Sequence, residues 1–501
     1  MSKDQYEQLF NCLRRNNSIN DNNNRLQYDG GVIVSPQEIG DAIRDLKKNK
    51  AQGPDNISSE HLKNCSEIII PMLADCFTGM LVHGELPTTM LNVVLMPIVK
   101  DSKGNLSSKD NYRPIAIANS TSKLFEMVIL KRVEHLIDTE MNQFGFKKNP
   151  GTDSCIYLLK EVISVYSKAN TSVFLGFLDA SKAFDRINHG KLFSKLLQCG
   201  VPMYIVRILS FWYKNQSMYV RWGGTLSHSF KCSNGVKQEG ILSPYLFNLY
   251  MDGLSKRLNA HKVGCCIGGH IVGHLMYADD LVLISPSVKG LQKLLLTCEL
   301  YGTENDIMFN SLKSKIMIVR SRAFKDVKFP DFKLNQASLD EVFNYKYLGH
   351  ILSNDCSDDS DIIRHCRFLY AVGNGLIRNF YMCSHSVKLK LFSSYCCNIY
   401  AGPLWFNYKS GSMNKVRVAY NSMLRCFLGI PRFENGVNYS ASAMFVYNNI
   451  ISFPALVRKL IYRFQLRLSV SGNRVLNYIS TSRFSFISKI WMHWRKMLQP
   501  P

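Results

Sequence analysis

Two adjacent carboxylates, Asp279 and Asp280, stand between the apolar runs His274-Leu275-Met276-Tyr277 and Leu281-Val282-Leu283-Ile284. The pattern predicts a strand, a tight turn and a second strand. Adjacent acids repel one another and are costly to bury unpaired. A hard divalent cation such as Mg2+ resolves that conflict, because it takes oxygen ligands and often only one or two carboxylates beside substrate phosphates. The hairpin is therefore a candidate site for metal-assisted phosphoryl chemistry. A bare Asp-Asp pair is equally at home in an exposed turn, so the rest of the chain has to decide. A third acid, Asp179, ends the apolar run Phe174-Leu175-Gly176-Phe177-Leu178, which places it at a sheet edge or cleft. One acid from that strand and one or two from the hairpin would form an oxygen cage. Two metals about 3.5–4 Å apart in such a cage activate a 3′-hydroxyl and stabilise a leaving pyrophosphate. Successive strand residues face opposite sides, so Asp279 and Asp280 both reach metal only if the turn reorients one of them.

The elements that must carry these acids are legible in outline. Ser35-Pro36-Gln37-Glu38 starts a helix, with Ser as N-cap, Pro in the first turn and Glu placed for a capping box. Ile39, Ala42, Ile43 and Leu46 form its apolar face, and Lys47 to Lys50 with Gly53-Pro54-Asp55 end it. A helix is expected within 66–82 and a buried strand over 93–99. A strand over 173–178 ends on Asp179, and a helix follows over about 201–213. Ser243-Pro244 opens another helix with Leu246, Phe247, Tyr250, Met251 and Leu254 on one face. Beyond residue 360 the pattern is helical, basic and aromatic. Residues 1–30, polar and rich in Asn, read as a disordered lead-in.

With 501 residues, 46% of them hydrophobic, the chain can bury a large core, and its formal charge of +23 calls for a polyanionic partner, nucleic acid first. The charge is uneven: residues 354–501 hold 19 Lys/Arg against 5 Asp/Glu. The 15 cysteines show no C-x-x-C spacing, and the adjacent pairs Cys265-Cys266 and Cys396-Cys397 suit neither zinc nor an easy disulfide. Free thiols and an intracellular setting, nucleus and cytoplasm, are expected. No apolar run approaches the length needed to span a bilayer, so no membrane partner is expected.

Seven sequence blocks in order resemble the reverse transcriptases of LINE-type (non-LTR) retrotransposons. They are Asn111-Tyr112-Arg113-Pro114-Ile115, Gln143-Phe144-Gly145-Phe146, Phe177 to Asp185, Gly235-Val236-Lys237-Gln238 through Leu242-Ser243-Pro244, Tyr277-Ala278-Asp279-Asp280, Asn310 with Lys313, and Tyr347-Leu348-Gly349. The resemblance covers about residues 50–355 and implies an α+β right-hand polymerase fold, with fingers, a palm built on an antiparallel sheet, and a helical thumb. On that basis 31–95 would be a helical N-terminal extension, 96–353 fingers and palm, and 354–501 a basic helical thumb and C-terminal region. Asp179, Asp279 and Asp280 would be the catalytic metal triad for two Mg2+ ions, with Mn2+ as a substitute. Lys100 and Arg113 would lie against the incoming triphosphate, which suits a point charge and a guanidinium fork. Ala180 and Phe184 would face the nucleotide, Phe184 blocking a ribose 2′-hydroxyl, and Phe184 also fits a core position on a short helix. Gln238 would position the nascent pair. Lys313 would act near the pyrophosphate as general acid, with Lys315 a neighbour able to compete for that role. Tyr347-Leu348-Gly349 would join the primer grip. Trp405, Tyr408, Trp491 and Trp494 would stack on bases or pack the core.

The chain departs from the pattern at Glu239, where relatives carry Gly after Gln. Gly permits close approach and unusual dihedrals, whereas Glu adds bulk and charge, unless the loop slips by one so that Gly240 compensates. Neither an endonuclease domain nor a zinc-knuckle tail is apparent, so a truncated element is expected. The expected activity is RNA-directed DNA polymerisation from dNTPs on an RNA template with a DNA primer. The alternatives are an inactive relic that only binds RNA or DNA and, less suited to the fingers residues, a palm-like cyclase.

Overall fold

The computed structural model describes residues 30–147, 151–434, 437–438 and 440–499, so the lead-in read at 1–30 falls almost wholly outside the described residues. The architecture is mixed α+β, in two compact units through which the chain passes repeatedly. One comprises 30–140, 180–256 and 300–308; the other comprises 141–179, 257–299 and 309–499. The units are thus interleaved in sequence.

The first unit opens on the helix Pro36–Asp45. Ser35 Oγ accepts from Glu38 N, and Glu38 Oε2 accepts from Ser35 N at 2.8 Å, the reciprocal pair of a capping box. Ile69–His83 follows as a helix ended by Gly84 at φ +73°. The sheet of this unit orders its strands Tyr112–Ala118, Asn92–Val99, Ser217–Trp222, Thr225–Leu226. The expectation of a buried strand at 93–99 holds only for its first half. Val93 and Val94 are buried, but Ile98 is 55% exposed, because Ser217–Trp222 pairs only with 92–95 and leaves the far end as a two-stranded ribbon.

The second unit is built on a five-stranded sheet ordered Asp340–Glu341, Lys315–Val319, Val173–Asp179, Asp280–Ser285, His274–Tyr277. Its pairings are antiparallel except the short parallel edge at 340–341. Val173–Asp179 is central and buried until its last residue, so its near-continuous apolar run is what such a position requires. One face packs on the helix Thr152–Lys168, and the same core continues into the C-terminal helices through Trp405, Tyr420, Phe464 and Trp494. Trp405 and Trp494 are almost fully buried there, and Trp494 stacks on Tyr157. Both are core residues rather than base-stacking platforms. Trp491 donates through Nε1 to Tyr157 Oη at 2.7 Å, and Tyr408 is half-buried against His493. Among the described residues no helix is long and apolar enough to cross a membrane.

Glu161, on Thr152–Lys168, is buried in this core and accepts from Ser488 Oγ at 2.6 Å. Burial pushes its pKa from 4.5 to about 7. The folded chain therefore holds this proton more tightly than the unfolded chain does. The resulting stability is full below about pH 4.5 and is lost as pH rises through about 7. Glu161→Gln keeps an acceptor for Ser488 and removes the titration. It should stabilise the protein by about 3 kcal/mol at pH 8 and by almost nothing at pH 4. Thermal melts at the two pH values test this, and equal gains at both would refute it.

Candidate active site

The strand pairing places the acids. Asp179 is the last residue of its strand and stands directly opposite Asp280 in antiparallel register. Directly opposed residues project to the same face of a sheet. Tyr277 pairs with Asp280, so the connection is the two-residue turn Ala278-Asp279. Ala278 takes φ +58°, and Asp279 is not among the positive-φ residues. A turn with positive φ at its first central residue alone is of type II′. The turn thus breaks the strict alternation of faces between Tyr277 and Asp280.

Asp179 is half-buried, while Asp279 and Asp280 are exposed. Asp280 keeps accessible surface, yet the protein packed around its carboxyl, with the charges of Asp279 and Asp179, raises its pKa from 3.8 to about 6. Among the described residues no Lys or Arg forms an ion pair with Asp179 or Asp280. The backbone of Asp179 is pinned on the other side. Its N–H donates to Ser314 Oγ at 3.2 Å, and its carbonyl accepts from Asn310 N at 2.9 Å. Lys313 lies exposed on that same Asn310–Ser314 turn. Lys315, the possible competitor, is tied to Asp340 at 2.6 Å and to Leu312 O.

Among the described residues no three His, Cys, Asp or Glu side chains converge as a ready-made cage. The donor set nevertheless fits a hard divalent cation. All three groups are carboxylates, mutual repulsion already acts on Asp280, and Mg2+ takes only one or two protein carboxylates when substrate phosphates complete its shell.

The residues expected to face the nucleotide belong to the other unit. Lys100 and Arg113 are exposed at the end of the ribbon formed by Asn92–Val99 and Tyr112–Ala118. Lys100 Nζ donates to Asp110 O at 2.9 Å. Ala180 is buried. Phe184 is half-buried on the short 3-10 helix Ala183–Arg186, and its ring stacks on Phe247 at 4.3 Å and 3°. Phe184 is thus packed against a core residue while keeping accessible surface, which is compatible with both roles expected of it. Gln238 Nε2 donates to Asp185 Oδ1 at 3.1 Å, and Ala116 N donates to Gln238 O at 3.1 Å.

The loop carrying Gln238 hangs on Glu126, whose role the sequence reading missed. Glu126 is buried, pairs with Lys237, and accepts from Ile241 N at 2.7 Å and Leu242 N at 3.3 Å. The signal was an acid inside the apolar stretch Leu124-Phe125-Glu126-Met127-Val128. In the same loop Gly240 N donates to Lys237 O at 3.1 Å, and Glu239 takes φ +73°. Positive φ at the third residue of a hydrogen-bonded turn is the type II geometry that calls for Gly. Gly240 is not among the positive-φ residues, so the loop has not slipped to let it compensate. Glu239 itself occupies the left-handed position.

The primer-grip candidate is a hairpin, Asn344–Tyr347 with His350–Ser353. Leu348 and Gly349 both take positive φ, +46° and +82°. Tyr347 is buried against Phe177, and Tyr400 Oη donates to Leu348 O from outside.

Residues 99–352 match the family described as Reverse transcriptase (RNA-dependent DNA polymerase). The Pol polyprotein from type-1 retrotransposable element R2 of Nasonia vitripennis is 27% identical over 63% of this chain and 31% of its own length. The RNA-directed DNA polymerase from mobile element jockey of Drosophila funebris is 26% identical over 79% of this chain and 44% of its own length. The transposon TX1 149 kDa protein of Xenopus laevis is 23% identical over 64% of this chain and 24% of its own length. The chain spans less than half the length of these curated relatives. A solved apo telomerase from Candida Tropicalis is a looser likeness, at TM-score 0.37 and 12% identity over 61% of this chain and 62% of that one. The chain belongs to the reverse transcriptase family and is related within it to the enzymes of non-LTR retrotransposons.

Proposed function

We propose that this protein is an RNA-directed DNA polymerase that adds dNTPs to a DNA primer 3′-hydroxyl on an RNA template. The observation that carries the reading is the register of Asp179 opposite Asp280, with Asp279 in the turn between paired strands, in a chain of this family. Asp179, Asp279 and Asp280 would hold divalent ions, Mg2+ or Mn2+. Bound there, such ions would supply Lewis acidity toward the 3′-hydroxyl and the triphosphate. Arg113 forks onto phosphate oxygens and Lys100 adds a point charge. Phe184 excludes a ribose 2′-hydroxyl, and Gln238, oriented by Asp185, positions the nascent pair. Lys313 delivers a proton to the leaving pyrophosphate, since Lys315 is committed to Asp340. The Leu348-Gly349 turn steadies the primer, and the cation-rich 354–501 region neutralises backbone phosphates.

A second reading, a relic that binds RNA or DNA without extending it, draws support from Glu239. Its left-handed backbone costs an L-residue about 1–2 kcal/mol, and its carboxylate adds negative charge to a loop assigned to nucleotide binding. Glu239→Gly relieves the strain but adds unfolded-chain entropy of about 0.5–1 kcal/mol. The net gain in stability should be below about 1 kcal/mol. Extension should rise about ten-fold, the worth of roughly 1.4 kcal/mol of relieved repulsion.

Primer extension on an RNA template with Mg2+ and dNTPs tests both readings, using the natural protein, Glu239→Gly and Asp279→Ala. Extension by the natural protein, lost in Asp279→Ala, supports the polymerase, and extension only after Glu239→Gly means a polymerase scaffold silenced at its nucleotide pocket. RNA binding with no extension by any variant supports the relic.

A further inference from the structure

The Gln143-Phe144-Gly145-Phe146 block lies against the acid-bearing hairpin. Residues 142–144 run beside its first strand as an extra short strand. Gln143 forms a parallel bridge with Met276, Phe144 N donates to Met276 O at 2.8 Å, and Met276 N donates to Asn142 O at 2.8 Å. The segment is pinned further back, because Asn142 Nδ2 donates to His274 O and Asn473 Nδ2 donates to Met141 O, each at 2.8 Å.

Two features reach from this segment to the turn itself. Gln143 is 3% exposed, and its Oε1 accepts from Gly145 N at 2.9 Å and from Ala278 N at 3.1 Å. Ala278 is the left-handed residue of the turn and is itself buried, so its N–H needs this acceptor. Gly145 allows the approach: a Cβ there would lie 2.5 Å from Ala278 N and 3.1 Å from Tyr277 C. Both atoms are backbone, so a methyl group displaces the turn rather than a flexible side chain.

We infer that Gln143 and Gly145 are positioning residues for the carboxylates, holding Ala278 in its left-handed conformation and so keeping Asp280 in register opposite Asp179 with Asp279 beside it in the turn. The inference rests on the reading of those three acids as metal ligands. Without the Gln143 acceptor, the buried Ala278 N–H loses its partner. The turn then relaxes toward shapes that an L-residue prefers, and the oxygens of the two hairpin acids move relative to Asp179.

The test uses Mn2+ alone, titrated into the full chain and followed by loss of the free-ion EPR signal, beside a thermal melt. Gln143→Met keeps the length and burial of the side chain and removes the acceptor. Gln143→Glu keeps an acceptor oxygen, and Gly145→Ala adds the one methyl. Gln143→Met and Gly145→Ala should each weaken Mn2+ binding by about ten-fold, the scale of one buried hydrogen bond. Gln143→Glu should bind no more weakly than the natural chain. A merely structural role would lower the melting temperature and leave Mn2+ affinity unchanged, and that result overturns the inference. If Gln143→Met does not fold, Gly145→Ala, with Gln143 intact, decides alone. Failure of the underlying reading looks different: Mn2+ binding by the natural chain would then survive Asp280→Asn undiminished.

Discussion

Replacing Asp280 by Asn should abolish nucleotide addition and at the same time make the metal-free protein more stable. Like charges directly opposite one another across an antiparallel pair are destabilising, and Asp280 faces Asp179 in that relation, with Asp279 adjacent. Burial together with those two charges already raises its pKa to about 6. Asn preserves the shape of the side chain and removes the repulsion, so the melting temperature without metal should rise. The same change removes a hard anionic ligand. Extension, measured in the Glu239→Gly background, should fall by at least about a hundred-fold, as it does when one electrostatic group at a reacting centre is lost. Mg2+ should raise the melting temperature of the natural chain, by linkage of binding to folding, and raise that of the variant much less. An Asp280→Asn protein less stable than the natural chain in EDTA, or one that extends primers normally, would show that these acids are not a metal site.

The second large effect is purely structural. Asp361→Asn should destabilise the protein by about 3–5 kcal/mol, the usual result of breaking a buried ionic group by removing one partner. Asp361 is fully buried at the start of the helix Asp359–Phe380. It accepts from Ile351 N at 3.0 Å, Arg364 Nε at 2.8 Å and Trp405 Nε1 at 2.9 Å, and His350 Nδ1 lies 2.9 Å away. Burial by itself would raise its pKa. The close approach of His350 and the bonds from Arg364 and Trp405 outweigh burial and hold the carboxyl well below the ordinary range. Its contribution is therefore present above the ordinary carboxylate pKa and lost only in strong acid. Beside it Asp358 pairs with the buried Lys160 and accepts from Phe406 N at 2.9 Å and Asn407 N at 3.0 Å. Asn at 361 turns an amide NH2 toward at least one of the donors and leaves Arg364 without its counter-charge. Since His350 and Ile351 open the second strand of the hairpin whose turn is Leu348-Gly349, the loss should also loosen the primer-grip candidate. Equilibrium denaturation measures the effect, and a loss below about 1 kcal/mol would mean that the network is dispensable.

Much of the site could be read from residue order alone, because local rules governed it. Alternating and continuous apolar runs marked the strands at 173–179 and 280–285. The Ser35/Glu38 capping box needs only residues three apart, and acids ending or interrupting apolar strands stand out wherever the chain goes. Glu239 was visible as an anomaly for the same reason: a turn position that calls for Gly is a local demand, and the backbone meets it at φ +73° with the wrong residue. What the tertiary structure decided were the pairings between distant segments. Strand register put Asp280, rather than its neighbour, opposite Asp179. Gln143 reached Ala278 across 135 residues, Glu126 reached Ile241 across 115, and Asp361 gathered Ile351 and Trp405. Trp405 and Trp494, open in sequence to stacking or packing, went to the core because the C-terminal helices close over Thr152–Lys168. Residue order states which groups must find a partner; only the folded chain, by bringing remote backbone amides and buried charges together, determines which partner each one finds.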